Sequence, residues 1–158
     1  MISPSGTMIQ RDYLKDLGGF DPNFTVCEDY ELWLHITASH HVAFVDEPLV
    51  IKNGGHPDQL SQKYLGMEMW RILAILQLLN SNNLSTKKKQ TAHDVFQKKI
   101  THTKNGMIKY NRKKFIEILE NMEENQNSLN NNASTSIKNL ERLSESLKLE
   151  MESMAVTA

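Results

Sequence analysis

Gly18-Gly19-Phe20-Asp21-Pro22-Asn23-Phe24-Thr25-Val26-Cys27-Glu28-Asp29-Tyr30-Glu31-Leu32-Trp33-Leu34-His35-Ile36 is a glycine-broken loop that delivers two adjacent carboxylates to the start of a helix. The paired glycines stop whatever helix precedes them, and Pro22 stiffens the loop. From Glu28 the apolar spacing turns helical, with Leu32, Trp33 and Ile36 on one stripe. Asp29 precedes Leu32 and Trp33 by three and four residues, which predicts it at the inward edge of the first turn. Glu28 shares a face with Glu31 and His35, and that face is expected to meet water. Acids in a first turn also complement the helix dipole and satisfy free amides in helices that catalyse nothing, so the pair alone does not establish a site.

Around this stretch the sequence reads as alternating elements. Residues 2–9 mix β-branched residues with Ser, Pro and Gly, the pattern of a loop entering a short strand, and residues 11–17 give about two turns of helix. Residues 42–51, Val-Ala-Phe-Val-Asp-Glu-Pro-Leu-Val-Ile, alternate and are rich in β-formers. Pro48 lacks an amide donor, so they predict a strand pair or one kinked strand at an edge. Asp58 is placed to cap a helix whose stripe is Leu65, Met69, Ile72, Leu73, Leu76 and Leu79. Ser85 or Thr86 caps the next, whose stripe of Ala92, Val95, Phe96 and Ile100 continues toward Tyr110. Asn111 is placed to cap a further helix holding Phe115, Ile116, Leu119 and Met122. Residues 125–136 collapse to Asn, Ser, Gln and Thr and read as a linker, because such a segment cannot bury enough apolar surface to offset chain entropy. Ile137, Leu140, Leu143, Leu147, Met151 and Met154 then recur at intervals of three and four. They predict an amphipathic helix, too short for a coiled coil on pattern alone, that docks on the body, pairs with a copy of itself or frays.

Three motifs set the acidic pair in context: Gly-Gly-Phe-Asp at 18–21, Glu-Asp-Tyr-Glu-Leu-Trp-Leu at 28–34, and Gly-Gly-His-Pro-Asp-Gln-Leu-Ser at 54–61. Together they resemble the acceptor-side half of family 2 glycosyltransferases, over roughly residues 2–79. The resemblance implies an α/β chain, the C-terminal half of a GT-A fold, followed by an α-helical extension. The organisation expected is an acceptor-side part at 1–80, a helical hairpin at 81–124, the linker at 125–136 and the amphipathic helix at 137–158. The implied chemistry is inverting transfer of a sugar from a nucleotide-sugar donor to a saccharide or lipid-linked hydroxyl.

In that chemistry Asp29 is the expected general base and Glu28 the next candidate. A sugar hydroxyl is a poor nucleophile, and a positioned base contributes about 10²- to 10⁴-fold. His56, between two glycines and a proline, is a candidate for the diphosphate or for metal coordination, set against an ordinary exposed loop residue. Gln59 and Arg71 are weaker substrate-binding candidates, and Arg71 on a helix is as readily a surface charge. Ser5 and Thr7 lie in a segment that resembles the strand lining the acceptor cleft, where small hydroxyl residues leave room for a sugar. Trp33 and Trp70, at helical spacing, read as core. The family's donor side and its Asp-x-Asp motif, which would hold a divalent Mg or Mn ion, are expected before residue 2. No Asp-x-Asp occurs in these 158 residues, so the chain alone is expected to be inactive or nearly so. The competing expectation is a non-catalytic helical interaction module on a vestigial glycosyltransferase scaffold.

Composition narrows the rest. A net charge of −1 and a pI near 6.6 give no global field for nucleic acid. The lysines between Lys87 and Lys114 are opposed only by Asp94, and a solvated helix face is the first explanation for them. Contact with an anionic membrane surface is the second, since each such lysine is worth about 1 kcal/mol there. The single Cys27 excludes an internal disulfide and fits a reducing compartment. With no leader pattern and no apolar run of about 18 residues, a soluble cytoplasmic protein is expected, with peripheral contact at the inner membrane face as the secondary location.

Overall fold

The computed structural model describes residues 2–51, 53, 66–81, 84–128 and 133–155. Its elements are a 3₁₀ turn at Pro4–Gly6 and six helices: α1 (Arg11–Asp16), α2 (Glu28–Ser39), α3 (Met67–Asn80), α4 (Thr86–Lys109), α5 (Lys113–Ser128) and α6 (Ala133–Ala155). No strand is present among the described residues, which overturns the expected α/β, GT-A-like fold. The reason is pairing. A strand needs a second backbone to accept and donate its hydrogen bonds, and residues 42–51 find none among the described residues. They run irregularly along the surface instead, with a tight turn across Pro48 where the Leu49 N–H donates to the Glu47 carbonyl at 3.0 Å. Every residue of the run is exposed, with Phe44 at 85% and Ile51 at 91%, so the alternation selects neither side for burial. Residues 2–9 likewise form only the 3₁₀ turn, and Met8 is 98% exposed.

The core is built around α3. Its sequence, Met-Glu-Met-Trp-Arg-Ile-Leu-Ala-Ile-Leu-Gln-Leu-Leu-Asn, is apolar on nearly all sides, the composition of a helix enclosed by others. It packs against α2, α4, α5 and α6. Trp70, Met69, Ile72 and Leu76 are fully buried there. From α4 come Phe96 and Ile100, from α5 Phe115, Leu119 and Met122, and from α6 Leu143, Leu147 and Met151. Leu143, Leu147 and Met151 of α6 are therefore buried inside the same chain.

Helix ends follow the sequence in part. Ser85 Oγ accepts the Lys88 N–H at 3.4 Å at the start of α4. Asn111, expected as an N-cap, has φ +53° and closes the preceding helix instead. Its N–H donates to the Ile108 carbonyl and that of Arg112 to the Met107 carbonyl, the paired bonds of a left-handed C-terminal cap. Asp58 and Leu65 lie outside the described residues. The helices α5 and α6 run into both ends of the Asn-rich segment 125–136, and Asn125 is buried.

Candidate functional site

The loop of residues 18–27 is fixed at both ends. Gly18, at φ +85°, donates its N–H to the Lys15 carbonyl and Gly19 donates to the Leu14 carbonyl, so α1 stops as its glycines predict. Farther on, Phe24 and Val26 are buried, and the Phe24 ring lies 5.5 Å from that of Trp70, centroid to centroid. Cys27 then adopts a left-handed conformation, φ +62°, unusual outside glycine, and launches α2. Its thiol lies 3.6 Å from the Met67 carbonyl, and burial pushes its pKa up to about 11, so it stays protonated at neutral pH.

Glu28 and Asp29 occupy the first turn of α2, both half-buried. One Asp29 oxygen accepts the Tyr30 N–H at 2.7 Å. Neither acid has an ion-pair partner among the described residues. One turn beyond Asp29, the buried indole N–H of Trp33 also lacks a hydrogen-bond partner there. The inward stripe of Leu32 and Ile36 is buried as predicted, but the face expected to meet water does not. Glu31 is only 4% exposed, and residues of the glycine loop and the end of α3 line the same space.

That face opens into a cavity of about 430 Å³, which Asp21, Glu31 and His35 line. Glu31 Oε1 lies 2.6 Å from His35 Nδ1, and this hydrogen bond holds the His35 pKa above its ordinary value. Sequence reasoning assigned these three residues no role. The signal was present in the four-residue spacing of Glu31 and His35.

Compared with family models, curated proteins and solved structures, the chain matches none.

The remaining candidates are scattered. Arg71, a candidate phosphate ligand, is engaged by Glu68, Nη1 to Oε2 at 2.8 Å, and Lys99 holds the other Glu68 oxygen. Burial opposes ionisation of Glu68, but the hydrogen bonds from Lys99 and Arg71 outweigh it and lower its pKa. Ser5 is exposed, with its hydroxyl 3.1 Å from that of Ser3, and Thr7 donates to the Ser3 carbonyl at 2.7 Å. Both hydroxyls are therefore engaged within one local turn. His56 and Gln59 lie outside the described residues. Among the described residues no three His, Cys, Asp or Glu side chains gather to hold a metal ion.

Several lysines of the helical region act between elements. Lys88 Nζ donates to the Ala38 and Thr37 carbonyls at 2.6 and 3.1 Å, capping the C-terminal end of α2 where the helix dipole favours a cation. Lys104 pairs with Glu120 and Glu123, and Lys114 with Glu150. Among the described residues no helix is long and apolar enough to cross a membrane.

Proposed function

We propose that the chain supplies the acceptor side of a sugar transfer, from a nucleotide-sugar donor to a hydroxyl, and that turnover requires a donor-binding part, with its divalent cation, that these 158 residues do not contain. The observation that carries this reading is the state of Asp29. It is a half-buried carboxylate fixed in a first helical turn by the rigid loop behind it, with no cation paired to it among the described residues. A carboxylate not tied up by a cation is what deprotonation of an attacking hydroxyl needs. Glu28 stands beside it as the alternative base. The resemblance of the motifs at 18–21, 28–34 and 54–61 suggests the reaction class, and residues 42–51 offer a surface for the donor-binding part, since they expose apolar side chains in a run with no backbone ladder among the described residues.

The burial of Leu143, Leu147 and Met151 of α6 and the ion-paired lysines leave less surface for a purely helical interaction module, and the transferase reading is preferred on that ground. Its test is release of nucleoside diphosphate from UDP-sugars with Mn²⁺ and a saccharide acceptor. The purified chain alone is expected to release none. Supplied with a donor-binding polypeptide that associates with it, the wild-type chain is expected to turn over, and Asp29→Asn to lose about 10²-fold or more. Turnover by the chain alone, or full activity of Asp29→Asn in the pair, overturns the reading.

A further inference from the structure

The cavity on the other face of α2 is built from different residues than the proposed base, and its chemistry selects a ligand. Its volume of about 430 Å³ lies in the ligand-pocket range of roughly 300–1,000 Å³. Glu31 forms one wall and is almost fully buried, and its carboxylate fixes the orientation of the His35 ring through Nδ1. With the Nδ1 proton donated to Glu31, Nε2 is the ring's second polar atom, and it has no hydrogen-bond partner among the described residues. Asp21 stands across the cavity, with Oδ1 accepting the Asn23 N–H at 2.8 Å and Oδ2 accepting Gln77 Nε2 at 3.3 Å. Those bonds lock the carboxylate and leave each oxygen a further lone pair. The Phe20 ring, 46% exposed, forms part of the same wall.

Among the described residues no lysine or arginine lines this space. Two carboxylates against one imidazole repel a phosphate or diphosphate. A neutral ring carrying hydroxyls meets each feature in turn. Its hydroxyls both donate to the Asp21 oxygens and hydrogen-bond with His35 Nε2, and its C–H face covers Phe20.

We propose that this cavity binds a neutral monosaccharide unit, with Asp21 and His35 taking its hydroxyls and Phe20 its apolar face. Glu31 is a positioning residue that holds His35 in place. If the chain acts in sugar transfer, this unit is a part of the acceptor other than the ring that bears the attacking hydroxyl, because the described lining includes neither Asp29 nor Glu28 and no cation to hold the donor's diphosphate. That assignment rests on the proposed function, whereas the binding itself does not.

The experiment is an NMR titration of the whole chain with glucose, galactose and N-acetylglucosamine, following the His35 imidazole resonances, with inorganic pyrophosphate as the anionic probe. Saturable shifts are expected for at least one sugar, with a Kd of about 1 mM or weaker, and none for pyrophosphate. Phe20→Ala removes an exposed ring, and His35→Asn keeps a donor for Glu31 while deleting Nε2. Each is expected to weaken binding about tenfold while the chain stays folded. The absence of saturation by all three sugars, or an equal response to pyrophosphate, overturns the proposal. Sugar binding here without transfer in the reconstituted pair sinks the transferase reading alone. Transfer without sugar binding at His35 sinks the pocket alone.

Discussion

The bundle of α3 to α6 and the segment of residues 2–51 are opposite solutions to one problem. In the bundle, apolar residues find partners within the chain: Trp70, Phe96, Phe115 and Leu147 come from four helices and are all essentially inaccessible. In residues 2–51 Phe24, Val26 and Cys27 of the loop and Glu31, Leu32 and Ile36 of α2 are enclosed, while Met8, Phe44 and Ile51 stand in solvent. Yet this less enclosed part carries the carboxylates, the glycine loop and the cavity. The difference teaches that the bundle is a self-sufficient platform. The segment beside it buries side chains mainly in the loop before α2 and in α2 itself, which packs on α3.

The sharpest way to break this comparison is Trp70→Ala. A fully buried indole at the centre of the platform is expected to cost about 3–5 kcal/mol in urea unfolding. A loss below about 1 kcal/mol, the scale of an ordinary substitution, would show that the platform does not depend on its centre. Gly18→Ala tests the loop. A Cβ there meets nothing within 4 Å, so the expected cost of about 1–2 kcal/mol is purely the left-handed backbone, and the cavity should lose sugar affinity with it.

A smaller effect concerns acidity. The Glu31 hydrogen bond raises the His35 pKa in the fold, with Asp21 adding to the attraction and burial opposing it. The pair's contribution is therefore fully present below the ordinary value of 6.5 and is lost as pH rises through the raised value. The stability gap between wild type and His35→Asn, measured by urea titration at several pH values, is expected to narrow upward through neutrality. A gap that widens would reverse the assignment. The smallest effect is Phe44→Ser, expected to change stability by less than about 0.5 kcal/mol because that ring packs on little. In the two-polypeptide system the same change should weaken association, and unchanged association would remove residues 42–51 from the interface.

Much of the helical part was legible in residues. The stripe from Met69 to Leu79, the Ser85 cap, the glycine stop at 18 and 19 and the helical start at Glu28 are local matters of periodicity and backbone preference. The strands were not legible. Residues 42–51 have a strand's alternation, but pairing is a property of two segments and the sequence of one cannot supply the other. Asn111 carried a polar side chain suited to either end of a helix, and the neighbouring turn decided which. At the candidate site, the placement of the acids at the start of α2 could be read, whereas the burial of Glu31 could not, because the glycine loop and Leu78 that line the same space come from other parts of the chain.

The sequence by itself therefore determined where helices begin and end and which residue types gather between Gly18 and Ile36, since both follow from contacts a few residues apart. Tertiary structure alone decided that Leu143, Leu147 and Met151 of α6 are buried in the shared core, that Lys99 of α4 holds Glu68 of α3, and that Glu31 and His35 face a cavity. Each of these depends on a surface brought from a distant position, and periodicity shows which residues share a face without showing what covers it.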